Sequence, residues 1–372
     1  MSYSLYVHVP FCAKKCDYCD FVSFRPHRDD FIRYVNAVLR EADTWRGGEV
    51  ETLYLGGGTP SLLPPPVMER LMAGLAARFD FPEGEHSIEA NPESVTAEKL
   101  ACWKGWGINR LSMGLQAVQP RFSEVLGRKC DRDAFERAYC LARDAGFDNI
   151  NADLLTGLPG QKQYDLTGSL DFLFSLGVEH ISLYELTLQE DTPLGKKVMQ
   201  GLLRQPPEEE DRQMFRAACQ RLRESGYERY EISNFAKPGR ESRHNLVYWR
   251  RKPYLGLGPA AASMMGNKRW TNADHLEQYL ADPQSGRQEE NLTDMDAAFE
   301  TFMLGLRLTE GIRWRDFKDL YRFDLKEKLS ERFSVWEKAG LAAMDEQRIA
   351  LTDAGMDVQN PLLVECMPAF GL

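Results

Sequence analysis

The chain has 372 residues, of which 43% are hydrophobic, enough for one large domain with its own core and a smaller one beside it. Its formal charge is −10, from 46 Lys and Arg against 56 Asp and Glu, and no basic run stands out, which argues against nucleic acid as the main partner. No stretch reaches the roughly 18 apolar residues of a membrane span, and the opening MSYSLYVHVP has neither the basic nor the apolar region of a secretory signal, so a cytoplasmic protein is expected.

Six short apolar runs, at residues 3–9, 51–56, 86–91, 108–116, 148–155 and 179–186, predict strands. Amphipathic segments such as 29–45, 66–79 and 131–146 predict helices between them. Such alternation implies a parallel sheet with right-handed crossovers. The strands also divide by face, because side chains alternate with period two. Leu5, Val7 and Val9 oppose Tyr6 and His8; Ile88 and Ala90 oppose Glu89 and Asn91; Leu111, Met113 and Leu115 oppose Ser112, Gly114 and Gln116; Ile150, Ala152 and Leu154 oppose Asn149, Asn151 and Asp153. A closed eight-stranded barrel fills its interior with branched apolar side chains, so a polar inner face predicts a wider or incomplete barrel around a polar ligand. An antiparallel sheet with one wet face would alternate in the same way, but helices between the strands disfavour it.

Beyond residue 200 the pattern changes. PPEEEDR (206–212) reads as a helix start, with prolines early and carboxylates where the helix dipole favours them. RYEISNFAKPGRESRHNLVYW (229–249) and a glycine-rich turn, LGLGPAAASMMG (255–266), follow. From about residue 293 the chain is again helical, with a hairpin at 341–355 and then an extended tail, which predicts a small winged-helix-like domain. The division expected is a barrel over 1–230, a connecting region over 231–292 and a C-terminal domain over 293–372.

Cys12, Cys16 and Cys19 stand in C-x3-C-x2-C spacing just after the first strand, which Pro10 ends. Thiolates so placed suit zinc or an iron–sulfur cluster. Structural zinc wants a fourth protein ligand, for which His8 is the candidate; a [4Fe–4S] cubane on three cysteines leaves one iron open to a cofactor. Of the other cysteines, Cys102, Cys140 and Cys219 sit in helical patterns and read as small buried apolar residues, while Cys130 and Cys366 carry no motif. Disulfides are not expected in a reducing compartment. In LYLGGGTPS, Gly56, Gly57 and Gly58 end the second strand, where they let the backbone approach a ligand or merely form a turn.

The cysteine trio, the glycine motif and the βα partial barrel together resemble the radical S-adenosylmethionine (SAM) superfamily. That resemblance implies a partial (β/α)6 barrel in which SAM chelates the open iron and the cluster's electron cleaves its sulfonium. LYVHVPFC, GGGTP, IEANP, LSMGLQ and DLLTGLPGQ extend the resemblance, over nearly the whole chain, to the oxygen-independent coproporphyrinogen III oxidases and their relatives the HemW haem chaperones. By that resemblance Tyr6, Tyr18, Gly57, Gly58, Thr59, Glu89, Gln116, Arg128 and Asp153 match positions that bind SAM, and Arg128 suits a methionine carboxylate. The oxidases carry a fourth cysteine two residues after the third; here that place is Phe21, as in the chaperones. HNLVYW (His244, Asn245, Tyr248, Trp249) matches a chaperone motif associated with haem. A histidine beside two aromatics is more often packing, but the resemblance favours His244 as a haem ligand with Tyr248 and Trp249 stacked on the porphyrin, and its place beyond the sixth strand leaves it free for a second ligand. Where many chaperones read G-A-H-S, this chain has Ala260, Ala261, Ala262 and Ser263. The function implied is a haem chaperone with a [4Fe–4S] cluster, SAM and haem. It would serve respiratory haemoproteins at the membrane surface and draw on an electron donor. Its rivals are coproporphyrinogen oxidation, another reaction of the superfamily (methyl transfer or haem degradation), and a zinc-stabilised binding protein.

Overall fold

The computed structural model describes residues 2–27, 29–45, 47–128 and 131–372. All six predicted strands form: β1 (Ser2–Val9), β2 (Glu49–Gly57), β3 (Glu85–Ala90), β4 (Arg110–Gln116), β5 (Ile150–Thr156) and β6 (His180–Glu185). They pair in sequence order and in parallel. Helices Asp30–Ala42, Pro65–Ala76, Ala97–Gly105, Arg132–Asp144 and Gln163–Leu176 make the five crossovers. Their apolar stripes cover one face of the sheet, where Leu5, Val7, Leu53, Leu55, Ile88, Leu111, Met113, Ile150, Ala152, Ile181 and Leu183 are buried in a single core.

The connecting region joins the same sheet rather than standing apart from it. Its β8 (Asn234–Ala236), with β7 (Glu228–Arg229) from just before it, extends the sheet beyond β6, and β9 (Tyr254–Leu257), β10 (Ala262–Met265), β11 (Lys268–Thr271) and β12 (Gln288–Asn291) extend it beyond β1. The order is β12-β11-β10-β9-β1-β2-β3-β4-β5-β6-β8-β7, an open barrel whose end strands do not pair with each other. Buried Glu41, on the first crossover helix, holds the β9 side in place. Its carboxylate accepts from Gly258 N (3.0 Å), Tyr279 OH (2.6 Å), Asn272 Nδ2 (2.7 Å) and Arg287 (3.0 Å).

A second core begins at Ala298 and contains Phe302, Phe317, Phe333, Trp336, Ile349 and Phe370. Its helices pack with a three-stranded antiparallel sheet of β13 (Ile312–Arg313), β14 (Ala342–Met344) and β15 (Arg348–Leu351), in keeping with a winged-helix-like unit. The extended tail is a correction: Asp353–Asp357, Gln359–Cys366 and Met367–Phe370 are helical. Pro361 and Pro368 resemble helix breakers, but each falls in a first turn, where a missing N–H costs nothing. Leu362, Cys366 and Phe370 then recur every four residues on the buried side. Cys140 is a second correction, since it lies exposed on the outer face of its helix. Cys102 is half-buried, Cys219 and Cys366 are buried, and Cys130 lies outside the described residues.

Candidate functional site: a cysteine loop over a polar barrel

Pro10 ends β1, and the chain then loops back on itself. Cys12 N donates to Phe24 O (3.0 Å) and Phe24 N to Pro10 O (2.7 Å), while Cys19 N donates to Cys16 O (3.2 Å) to form a tight turn. The loop is pinned from outside by Asp17 N to Leu126 O (2.9 Å), Lys14 Nζ to Gly127 O (2.9 Å) and Lys197 to Asp17 (2.9 Å). Cys12, Cys16 and Cys19 thereby line one wall of a cavity of about 440 Å³ at the carboxyl ends of the strands. Among the described residues no three His, Cys, Asp or Glu side chains are placed to share a single metal ion. A cubane does not require that convergence, since each thiolate takes a different iron. His8, the fourth ligand a zinc site would need, is already engaged: Nδ1 meets Tyr6 OH (2.9 Å) and Nε2 meets Val22 O (3.0 Å). Burial pushes the Cys16 and Cys19 thiols up, so bare thiolates are disfavoured there and a cationic cluster would supply the missing charge.

The glycines meet the protein itself. A Cβ on Gly58 would lie 2.8 Å from Phe11 O, 2.9 Å from Phe11 N and 3.0 Å from Val9 O, and Gly57 takes φ +108° directly above the His8 ring. They allow the end of β2 to lie flush against the start of the cysteine loop, an approach the sequence suggested for a ligand. The Gly58→Ala protein should therefore take up less iron on anaerobic reconstitution and melt lower, because backbone atoms on the far side cannot yield. Overpacking of this kind costs about 1–3 kcal/mol, and iron per chain against a thermal melt checks both effects. An alanine variant with unaltered iron content would show that the loop tolerates the shift.

The inward positions follow the register of the sheet. Gly114, Asp153 and Ser182 are partners across β4, β5 and β6; Glu89, Ser112, Asn151 and His180 make the next row towards the amino-terminal ends of the strands, and Arg110, opposite Ser87, the one after that. Glu89 accepts from Tyr54 OH (2.8 Å) and Gly57 N (3.0 Å). The enclosure of its carboxyl nevertheless pushes it up to about 7. Arg128 Nη2 donates to Asn91 Oδ1 (3.0 Å) and Gly114 O (2.9 Å), fixing the guanidinium over the cavity. Its charge offsets part of the burial that pushes the Tyr18 hydroxyl up to about 12. Asp153 accepts from Asn151 Nδ2 (2.7 Å), and burial raises it too. Gln116 ends β4 at φ +67°, a left-handed conformation unusual for a residue with a side chain.

Tyr18, Gly57, Gly58, Thr59, Glu89, Gln116, Arg128 and Asp153 all line this cavity, and Tyr6 does not. Tyr6 lines a neighbouring cavity of about 410 Å³ together with His8, Phe21, Tyr248, Tyr254 and Ala262. Tyr54, Arg110 and Ser182 line the main cavity too, beyond the polar-face residues named from the sequence. The period-two pattern contained them: Tyr54 sits between Leu53 and Leu55, and Arg110 falls two residues before Ser112.

HNLVYW forms the helix Arg243–Trp249, which closes the amino-terminal end of the barrel. Glu85, at the start of β3, caps it by accepting from Arg243 N (3.0 Å), His244 N (3.0 Å) and Ser242 Oγ (3.4 Å). His244 is 1% exposed. Its Nδ1 pairs with Thr52 Oγ1 (2.7 Å), its Nε2 with Tyr248 OH (2.9 Å), and its ring stacks on Tyr54 at 5.1 Å. Asn245 reaches the main cavity, whereas Tyr248 and Trp249 face smaller ones beside it.

An incomplete parallel barrel with a polar interior and a triple-cysteine loop at its mouth defines the radical SAM class, and residues 6–173 match the Radical SAM superfamily. Residues 292–358 match the HemN C-terminal domain. The chain is 33% identical over 369 residues to the haem chaperone HemW of Bacillus subtilis (96% of this chain, 97% of that one) and 32% identical over 364 residues to that of Lactococcus lactis (96% and 95%). The solved structure of the Escherichia coli coproporphyrinogen III oxidase shares the fold, with a TM-score of 0.86 at 24% identity over 99% of this chain and 90% of that one. The chain belongs to the HemW haem chaperone family of the radical SAM superfamily. Members of that superfamily use a [4Fe–4S] cluster and SAM, and the donor set described above fits both.

Proposed function

We propose that this chain is a haem chaperone that holds a [4Fe–4S] cluster on Cys12, Cys16 and Cys19, binds SAM beside it and passes haem to respiratory haemoproteins. The observation that carries the choice of chaperone over oxidase is Phe21, which is 63% exposed and borders both cavities where an oxidase would present a thiol. A phenyl ring supplies apolar area for a porphyrin edge but no ionisable group for decarboxylation chemistry. When bound, the cluster and SAM supply one-electron reductive chemistry. The chain's own residues bind and orient: Arg128 takes the methionine carboxylate, the Gly57 and Gly58 backbone takes the amine, Glu89 and Asp153 take cationic or diol groups, and Tyr6, Tyr18, Thr59 and Gln116 complete the enclosure. Haem would lie along the Phe21 side, with Asn245, Tyr248 and Trp249 of the floor helix at its edge. No helix of the described residues is long and apolar enough to cross a membrane. In our reading a cytoplasmic protein meets its clients at the membrane surface and receives its electron from a separate donor.

Anaerobic reconstitution followed by haem titration, with and without SAM, tests this reading. Saturable haem binding is expected, and no protoporphyrinogen should form when coproporphyrinogen, SAM and a reductant are supplied. Robust vinyl-group formation would restore the oxidase.

Glu89 gives the SAM site a pH dependence. With its carboxyl at about 7, it is largely protonated at pH 6, and a sulfonium binds the ionised form better, releasing a proton on binding. Affinity for SAM should therefore rise with pH, by up to about tenfold per unit below 7, and level off above it. Glu89→Gln should flatten the profile. Calorimetry under anaerobic conditions in two buffers of different ionisation enthalpy would reveal the proton; a flat wild-type profile would remove Glu89 from the site.

A further inference from the structure

Arg110 is one of the largest fully buried side chains in the protein, 2% exposed, yet it lines the main cavity at its base. Its Nε is enclosed without a partner, and no described residue gives the guanidinium a hydrogen bond or ion pair within normal limits. The carboxylates whose charge reaches it are occupied elsewhere: Glu85 caps the floor helix, Asp153 is held by Asn151, and Glu89 by Tyr54 and Gly57 N. Their fields act on Arg110 from a distance, together with those of Tyr54 and Tyr230. Other polar groups nearby pair among themselves: Asn151 Oδ1 meets His180 Nδ1 (2.6 Å) and His180 Nε2 meets Tyr230 OH (2.8 Å), while Ser87, opposite Arg110 in the sheet, makes no hydrogen bond through its Oγ. An always-charged guanidinium with its Nε enclosed and no protein acceptor for its other donors is costly unless something in the cavity supplies the anion.

We infer that Arg110 is a receptor for a ligand carboxylate at the base of the barrel. A carboxylate matches the guanidinium fork with two parallel hydrogen bonds. The inference rests on the proposed ligands, SAM and haem, both of which carry carboxylates. It does not concern the SAM held at the cysteine loop. Arg110 precedes Gly114, the residue whose carbonyl holds Arg128, by four positions of an extended strand, about 13 Å. Arg128 already stands beside the loop for that methionine carboxylate, so the deeper Arg110 is assigned to another anion. The anion is therefore either a haem propionate reaching down the barrel or the carboxylate of a second SAM.

The test uses the full, anaerobically reconstituted chain. Haem and haem dimethyl ester, which lacks free carboxylates, are titrated against wild type and Arg110→Gln, and SAM stoichiometry is measured on both. If the anion is a propionate, wild type should bind haem about 10- to 100-fold more tightly than the ester, and Arg110→Gln should lose that preference. If it belongs to a second SAM, wild type should bind two SAM molecules and Arg110→Gln one, with haem affinity unchanged. Wild type that binds haem and its ester equally, and only one SAM, overturns the inference even if Arg110→Gln fails to fold. Wild type that binds no haem would instead sink the chaperone reading, leaving SAM stoichiometry to decide on Arg110.

Discussion

Cys16→Ala protein reconstituted under anaerobic conditions should be colourless and hold no iron above background, where wild type should be brown and carry about four irons per chain, the content of a [4Fe–4S] cluster. The same holds for Cys12→Ala and Cys19→Ala, because the loop offers three thiolates and none in reserve. No other described cysteine lines the cavity, and His8 spends both ring nitrogens on Tyr6 and Val22. The loss should be specific. The three cysteines are only partly buried, and the loop is held by backbone pairs from Cys12 to Phe24 and from Asp17 to Leu126 that no sulfur takes part in. Melting of the iron-free proteins should therefore be nearly unchanged. Iron and sulfide assays with a visible spectrum check the first expectation. Stoichiometric zinc in the wild type, indifferent to air, would replace the cluster with the structural-metal alternative.

The barrel was legible because its information is local. Period-two alternation in residues 5–9, 88–91, 111–116 and 150–154 separated the helix-covered face from the cavity face, and those faces are the ones observed. The cysteine spacing and the glycine run are equally local, so the loop and the rim could be read directly. What could not be read rests on pairs remote in sequence. Glu85 caps a helix 158 residues further on, so HNLVYW, which follows the sixth strand in the chain and seemed free for a second ligand, closes the floor of the barrel. Tyr6 points inward as its alternation required, but β9 pairs beside β1 through a parallel ladder that no pattern within residues 1–10 announces. That ladder creates the second cavity that Tyr6 faces. Arg110 went unremarked because an arginine at a strand's first position ordinarily reaches solvent. The open barrel turns it inward.

His244→Ala should destabilise the protein by about 3–4 kcal/mol, the range for emptying a buried aromatic-sized site, with the loss of its hydrogen bonds included. Thr52 donates its hydroxyl proton to Ser4 Oγ (2.8 Å), so Thr52 Oγ1 accepts from His244 Nδ1–H, and His244 Nε2 is left to accept from Tyr248 OH. That fixes a neutral tautomer whose only lone pair is already used; an iron would have to displace Tyr248 to reach it. Burial agrees with the neutral form, holding the imidazole down to about 3. The consequence for pH follows from linkage: between about 3 and 6.5 the unfolded chain binds the proton that the folded chain refuses, so this contribution is fully present above 6.5 and is lost as pH falls. Acidification should cost wild type up to about 1.4 kcal/mol per unit in that window from this residue, and the difference between wild type and His244→Gln should isolate it. Cluster content, SAM binding and haem binding should all weaken together in His244→Ala, because the floor helix and Tyr54, which holds Glu89, shift with it. A His244→Ala protein as stable as wild type, with iron and SAM intact and only the haem spectrum altered, would make His244 an iron ligand instead of the keystone of the barrel floor.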